Sequence, residues 1–408
     1  MAIDQSRAGR DYPLQTATRH SGDRNYTLNL ARALALAGAD VTFMALVSEE
    51  SDPDAYRREV PEIEWIAIDG APRSALGSAL SILPLAAARY ATTAFGMALR
   101  NELARSRYHC AVIDHYALGW ALDELRACPG GPSCLVYISH DYEIDVTAAI
   151  AHDFSGGLPK KAFLYANAWK TARIERHLVR HVDILTAITE EDGANYLRLN
   201  PKRRPVVLRP GFAGYRRPER EINASTPRRV VVLGSFLWIA KQMNLDRFLE
   251  AADGPFAEAG IELEIVGVVG RELQERWKNR LRATRFLGFV DDLQSCFDNA
   301  RMGLVVEATG GGFKFKTLDY VFGRVPVAAL TPTLRGLDRD IRAHFIVADE
   351  LAALVQAIRG TINDIGRLNA MQRGAFLAVR DRFEWKANGR TLLESMETCR
   401  RRHPALIR

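Results

Sequence analysis

The sequence alternates short apolar runs with helix-period segments, and it does so twice, on either side of one polar interruption. In the first half the apolar runs are VTFMALV (41–47), IEWIAI (63–68), CAVIDH (110–115), CLVYISH (134–140), DILTAIT (183–189) and PVVLRP (205–210). Between them lie helical segments. In NYTLNLARALALAGA (25–39), Leu28, Leu30, Leu34 and Leu36 recur at near-helical spacing and Gly38 ends the pattern. A strand covered by helices on both faces has no solvent side, so it reads as a continuous apolar run. The pattern therefore predicts a parallel, Rossmann-like sheet.

GFAGYRRPEREINASTP (211–227) breaks the pattern, being polar with two prolines, and residues 211–228 read as a linker. The alternation restarts with RVVVLGS (229–235), a helix around 243–253, IELEIVG (261–267), a helix near 271–283, TRFLGFV (284–290) and MGLVV (302–306). PVAAL (326–330) is the last strand expected, and EWKANGRTLLESMETCRRR (384–402) reads as a terminal amphipathic helix. The fold class expected is α/β, with two Rossmann-like doubly wound domains, residues 1–210 and 229–378, facing a central cleft. Residues 379–408 are expected to pack back on the first domain as a C-terminal helix. A Rossmann domain normally opens on a strand leading into its glycine loop. Here only MAID could serve, well before Ser21 and Gly22, so the first strand is a stub or the sequence starts late.

Composition narrows the function classes. At 48% hydrophobic and 25% charged the chain is globular in type. The net charge of +6 suits a phosphorylated ligand, an anionic membrane or nucleic acid, and selects none of them. No nucleic-acid-binding module is recognisable, so nucleic acid is not an expected partner. Five scattered cysteines without a C-x-x-C pair speak against a disulfide framework or a zinc site and for a reducing cytoplasm. MAIDQSRAGRDYP lacks the apolar core of a signal peptide. The apolar stretch 75–99 is broken by Pro84 and Arg89, which favours a buried or interfacial helix pair over a membrane span. The segment 159–181 forms a basic amphipathic helix with Lys160, Lys161, Lys170, Arg173, Arg176 and Arg180. It is either a solvated face or, with 75–99, a peripheral contact with the inner face of an anionic membrane, where lipid-linked acceptors reside.

Ligands of parallel sheets gather at the carboxyl ends of the strands, where helix N-termini present unpaired N–H groups. The loops to examine are SGDRN (21–25), ISHDYE (138–143), GSFLWIAK (234–241) and GGGFKFK (310–316). GGGFKFKTLD (310–319) is the most informative of these. Its glycines allow close backbone approach, Lys314 and Lys316 supply positive charge, and Asp319 lies one turn into the following helix, placed to accept from a sugar hydroxyl. It is neither a Walker loop nor a dinucleotide fingerprint. D-R-D (338–340) follows the last expected strand and H-x-x-x-H (177–181) lacks a completing carboxylate, so no metal site is expected.

GGGFKFKTLDYVFGRVPVAA resembles the G-x-G-(hydrophobic)-(basic)-x-K-x-L-E…P-V segment of GT-B glycosyltransferases, in the large retaining family 4 and its relatives. SGDRNYTLNLARALALAGADVTF resembles the family's N-terminal glycine segment, SHDYE its H-(N/D)-x-E loop, and RFLGFVDDL its F-x-G-x-V-x-D-L. The resemblance runs in order from about residue 20 to 335. It implies that Gly22 approaches a donor diphosphate, that His140 lies beside the transferred sugar, and that Lys241 and Lys316 face phosphate. It also implies that Asp319 holds the nucleotide ribose, and it counts Ser235, Gly312 and Phe313 with the donor loops. Two positions depart from the family pattern. Gly311 stands where the first of two paired glutamates is expected, and Asp319 replaces the second; Glu307, at the end of the preceding strand, is the candidate substitute. The implied activity moves a sugar from a nucleotide diphosphate sugar to a sugar, glycan, small-molecule or lipid-linked acceptor, in cell-surface polysaccharide or glycoconjugate synthesis. Retention at the anomeric carbon, no metal and no cofactor beyond the donor co-substrate are implied with it. Two rivals are a non-catalytic binding protein, which Gly311 encourages, and a nucleotide-sugar epimerase, whose different carboxylates and histidines are not found.

Overall fold

The computed structural model describes residues 22–47, 57–70 and 72–402. Its chain contacts divide it into two compact units, Met1–Ala213 with Glu384–Arg408, and Gly214–Phe383. MAID and Ser21 lie outside the described residues.

In the first unit helix α1 (Gly22–Leu36) precedes a parallel pair, β1 (Thr42–Val47) and β2 (Glu64–Asp69). A separate parallel sheet runs in the order β3 (Cys110–Asp114), β4 (Cys134–Ile138), β5 (Ile184–Ala187), β6 (Val206–Val207). Every residue of β4 and β5 is buried, which is why CLVYI and ILTA carry no alternation. Their apolar side chains join Leu118, Leu122, Leu178 and Val179 in one core. The stretch 75–99 forms not a helix pair but parts of three helices, Ala75–Ala79, Leu85–Tyr90 and α2 (Thr93–Arg105). Pro84 caps the second, and the Thr92 hydroxyl accepts from Phe95 N–H at 3.2 Å to start the third. Helices α3 (Glu143–Asp153), α4 (Leu158–His181) and α5 (Glu190–Leu199) follow.

The helix Trp385–Arg402 belongs to this first unit. It lies against α1 at Gly389, where a Cβ atom would come within 2.1 Å of the Ala33 carbonyl oxygen, so only glycine permits the approach. The Trp385 ring meets Tyr26 edge-on at 5.3 Å, and Asn388 donates to the Arg209 carbonyl.

The second unit has a six-stranded parallel sheet: β7 (Arg229–Leu233), β8 (Glu262–Val266), β9 (Thr284–Gly288), β10 (Met302–Val305), β11 (Val327–Leu330) and β12 (Ile346–Ala348). The spatial order is β12-β11-β10-β7-β8-β9. The chain moves outward in one direction from β7, then returns and moves outward in the other from β10. The crevice at the ends of β7 and β10 is therefore the topological switch point, where such sheets bind ligands. The strand β12 lies beyond the last one expected. Its three residues, Ile346–Ala348, are apolar but make a run too short to stand out as a strand. Helices α6 (Ile239–Glu258), α7 (Phe315–Phe322), α8 (Leu351–Thr361) and α9 (Ile365–Val379) complete the unit.

The stretch expected to be a linker is in large part built into the second unit. Ile222 is fully buried in its core, and its N–H and C=O bond the Asn369 side chain at 2.9 and 2.7 Å. Arg220 donates to the Phe297 and Arg324 carbonyls. Part of the polar look of 211–228 comes from arginines, Arg217 and Arg220, whose side chains bond backbone carbonyls.

Candidate functional site

In the first unit β3 and β4 are parallel neighbours in the register Asp114–Ile138, so the residues that follow emerge side by side at the carboxyl edge. His140 is buried there and its Nε2 donates to Asp114 Oδ1 at 2.7 Å. The other Asp114 oxygen accepts from the Thr27 hydroxyl of α1. Tyr26 lies edge-on to the His140 ring at 5.3 Å. His140 Nδ1 has no hydrogen-bond partner among the described residues. Burial opposes the imidazolium, but Asp114, helped by Asp23 and Asp141, outweighs it and raises the pKa to about 9. The ring is thus held protonated, with one N–H unspent.

His115 is a second histidine at this edge, its ring 5.4 Å from that of His140. Its φ of 70° is a conformation that non-glycine residues rarely adopt, at a cost of about 1–3 kcal/mol. Its Nδ1 accepts from Ala117 N–H at 3.3 Å, and its Nε2 donates to Glu143 Oε1 at 3.1 Å. Burial and the neighbouring His140 charge push its pKa down to about 4, so it is neutral. Beneath lie two buried acids. Burial and Asp23 raise Glu143 to about 8, and burial and Glu143 raise Glu175 to about 8. Tyr196 ties this layer together, its hydroxyl 2.6 Å from both Glu175 Oε1 and Ser139 Oγ. Gly22, the implied diphosphate contact, is the first residue of α1.

In the second unit the switch point gathers Ser235, Lys241, Glu307, Gly312, Phe313, Lys316 and Asp319 at or near the ends of β7 and β10. Glu307 is buried just after β10 and receives a hydrogen bond from the Lys316 ammonium of α7. Burial raises the cost of its charge, but Lys316, Lys314 and Lys241 together hold its pKa below the usual range. Three ammonium groups thus act on one carboxylate, and the neighbourhood is net positive. The second oxygen, Glu307 Oε2, has no partner among the described residues. Lys316 is not a free cation: it is clamped between Glu307 and the Phe236 ring, 5.7 Å away. Lys314 donates to the Gly311 carbonyl. Gly312 has φ +66°, a left-handed turn that aims the loop into α7. The loop is pinned from α6, where Asn244 bonds both N–H and C=O of Thr309 at 2.9 and 2.6 Å.

Ser235 is exposed and Lys241 lies in the first turn of α6. Asp319 is partly exposed, and burial pushes its carboxyl up to about 7. Phe313 points inward, its ring 5.7 Å from Phe383 and 5.9 Å from Phe315, which leaves the backbone of this residue, not its ring, for a ligand. The D-R-D carboxylates, Asp338 and Asp340, both bond Arg382.

Sequence reading missed Asp114, His115, Glu175 and Asn244. Asp114 ends β3, and a carboxylate closing the apolar run CAVI was the available signal. Asn244 looks like any polar residue inside a helix.

Two family models match the chain, Glycosyl transferase 4-like domain over residues 21–211 and Glycosyl transferases group 1 over residues 227–364. A search of curated proteins returns no match. Among solved structures, sucrose-phosphate synthase from Thermosynechococcus elongatus aligns with a TM-score of 0.66 at 16% identity, over 93% of each chain. Anabaena Alr3699/HepE in complex with UDP and glucose aligns with a TM-score of 0.62 at 14% identity, over 97% of this chain and 98% of that one. A mutant of S. aureus TarM in complex with fondaparinux, alpha-GlcNAc-glycerol and UDP aligns with a TM-score of 0.56 at 10% identity. That match takes in 74% of this chain, which spans 58% of TarM's length. With both family models matched in order over most of its length, the chain belongs to the GT-B glycosyltransferases of the family 4-like group, and it is an enzyme of that class.

Proposed function

We propose that the protein transfers a hexose from a nucleoside diphosphate sugar to a hydroxyl of a sugar, glycan or lipid-linked acceptor, with retention and without a metal. The observation that carries this reading is the excess of positive charge at the β7/β10 switch point, where Lys316, Lys314 and Lys241 act on Glu307. A departing nucleoside diphosphate gains negative charge as its bond to the sugar breaks. Fixed ammonium groups and the N-terminus of α7 stabilise that charge without reorganising. In this reading Glu307 Oε2 accepts from a hydroxyl of the transferred sugar, Asp319 from the ribose, and His140 Nδ1–H donates to the sugar. The UDP and glucose bound by Anabaena HepE and the UDP bound by S. aureus TarM support a uridine nucleotide as the first donor to try.

A lipid-linked acceptor fits the exposed surface of the first unit. Leu80 and Ile82 are 89% and 76% exposed, and Trp169 on α4 is 62% exposed. The turn carrying them is tied to α4, because Lys170 Nζ donates to the Ser81 carbonyl at 2.6 Å and Asn167 Oδ1 accepts from Leu85 N–H at 2.7 Å. Apolar side chains beside the basic residues of α4 are the composition of a surface that rests on anionic lipid. Among the described residues no helix is long and apolar enough to cross a membrane.

The test is turnover of UDP-, GDP- and dTDP-sugars in excess EDTA, followed by release of the nucleoside diphosphate and by the anomeric proton coupling of the product. Release from one donor with an α-linked product from an α-donor supports the reading. No release from any donor, release only with added divalent metal, or a β-linked product from an α-donor contradicts the corresponding part of it.

A further inference from the structure

The cysteines that are scattered in the sequence are not scattered in the fold. Cys110 is the first residue of β3 and Cys134 the first residue of β4, and the two are register partners, so their side chains stand next to each other on one face. Asp183 immediately precedes β5, and Cys399 lies near the end of the helix Trp385–Arg402. The sulfurs of Cys134 and Cys399 and a carboxylate oxygen of Asp183 all lie within 4.8 Å of one another. Cys134 and Cys399 are buried and Asp183 is half-buried. All of this is at the amino edge of the sheet, the opposite end from His140.

We propose that Cys134, Cys399 and Asp183, with Cys110 as the fourth ligand, bind a thiophilic divalent cation of the zinc type, which fastens the C-terminal helix to the sheet. A tetrahedral zinc–thiolate site has metal–sulfur bonds of about 2.3 Å, hence sulfurs about 3.8 Å apart. Cys134 and Cys399 reach that by side-chain adjustment of roughly 1 Å, and Cys110, the register partner of Cys134, joins by turning its side chain toward them. Asp183 is already oriented, since its Oδ2 accepts from Leu135 N–H at 2.8 Å, the outer hydrogen bond that fixes a metal-binding carboxylate. Binding breaks three S–H bonds, forms three metal–sulfur bonds and releases three protons to water. The site then carries two net negative charges, from one dication, three thiolates and one carboxylate. Two guanidinium groups are at hand to offset them: Arg203 lies 4.0 Å from Asp183, and Arg400 acts on Cys110. The site is remote from the transfer chemistry, so its role is to hold the helix that packs on α1 at Gly389.

The test uses the full, reduced chain with Zn(II) alone and then with Co(II) alone. Expected are one zinc per chain retained through gel filtration, a rise in melting temperature reversed by EDTA, and a sulfur-to-cobalt charge-transfer band. Cys399→Ser should weaken binding at least 100-fold, and Cys110→Ser should alter the cobalt band. Cys296→Ser, in the second unit, should change nothing. Circular dichroism separates lost binding from lost folding, and Cys110→Ser serves if Cys399→Ser does not fold. The proposal is overturned by the absence of a charge-transfer band, by a band unchanged in both Cys110→Ser and Cys399→Ser, or by fewer than five free thiols in denatured protein purified without reductant.

Discussion

The carboxyl edges of the two sheets are built alike and charged oppositely. In the first unit one imidazolium, His140, stands among the carboxylates of Asp114, Asp23 and Asp141. In the second, one carboxylate, Glu307, stands among Lys316, Lys314 and Lys241. Both central pairs are buried, so each would be a poor source of stability if it served nothing else. The difference teaches what each edge can hold. The first repels an anion and offers a donor and acceptors, suited to neutral hydroxyls. The second attracts an anion, and Glu307 offsets the cost of holding Lys316 partly out of water.

The largest expected effect comes from breaking the second pair. Lys316→Ala leaves Glu307 buried without its main partner and should cost about 3–5 kcal/mol of stability, with nucleoside diphosphate affinity falling about 100-fold. Denaturant unfolding and calorimetry check the two parts. Combining Lys316→Met with Glu307→Leu should restore most of the stability and none of the binding; recovery of binding would remove the lysine from the site.

A smaller effect is expected from Asp114→Asn, and it depends on pH. Because Asp114 lifts His140 from 6.5 to about 9, the pair's stabilisation is complete below pH 6.5 and disappears as pH rises through 9. The variant should therefore be least stable relative to the parent at pH 6 and approach it at pH 9.5. Turnover should fall roughly 10- to 100-fold, with the alkaline limb of the rate profile moved to lower pH. An unmoved limb would detach His140 from the chemistry.

The smallest effect belongs to the surface. Leu80→Ser with Ile82→Ser should leave stability within about 0.5 kcal/mol, since both side chains are exposed. Sedimentation with vesicles containing phosphatidylglycerol should drop roughly tenfold, through lost apolar burial. Equal sedimentation of parent and variant would take the membrane out of the account.

The strands were legible because burial on both faces leaves them predominantly apolar. CLVYI and MGLV became β4 and β10 for that reason. Where the run is short the signal fades, and β12 shows it: Ile346, Val347 and Ala348 are all apolar but make a run of only three residues. The lysines and glycines of GGGFKFK were legible because a switch-point loop concentrates them within a few residues. What pairs them was not. Lys316 and Glu307 are nine residues apart, and His140 and Asp114 twenty-six. Register and helix docking decide which such residues meet, and no local pattern encodes them. The same holds for Cys134 and Cys399, brought together only by the return of the last helix.

Calorimetry in EDTA with uridine, UMP and UDP tests the central claim, that the second edge is a diphosphate site, most directly. Affinity should rise at least tenfold with each phosphate, and most of that gain should be lost in Lys316→Ala. Uridine binding as tightly as UDP, or a phosphate gain unchanged in Lys316→Ala, would contradict that claim.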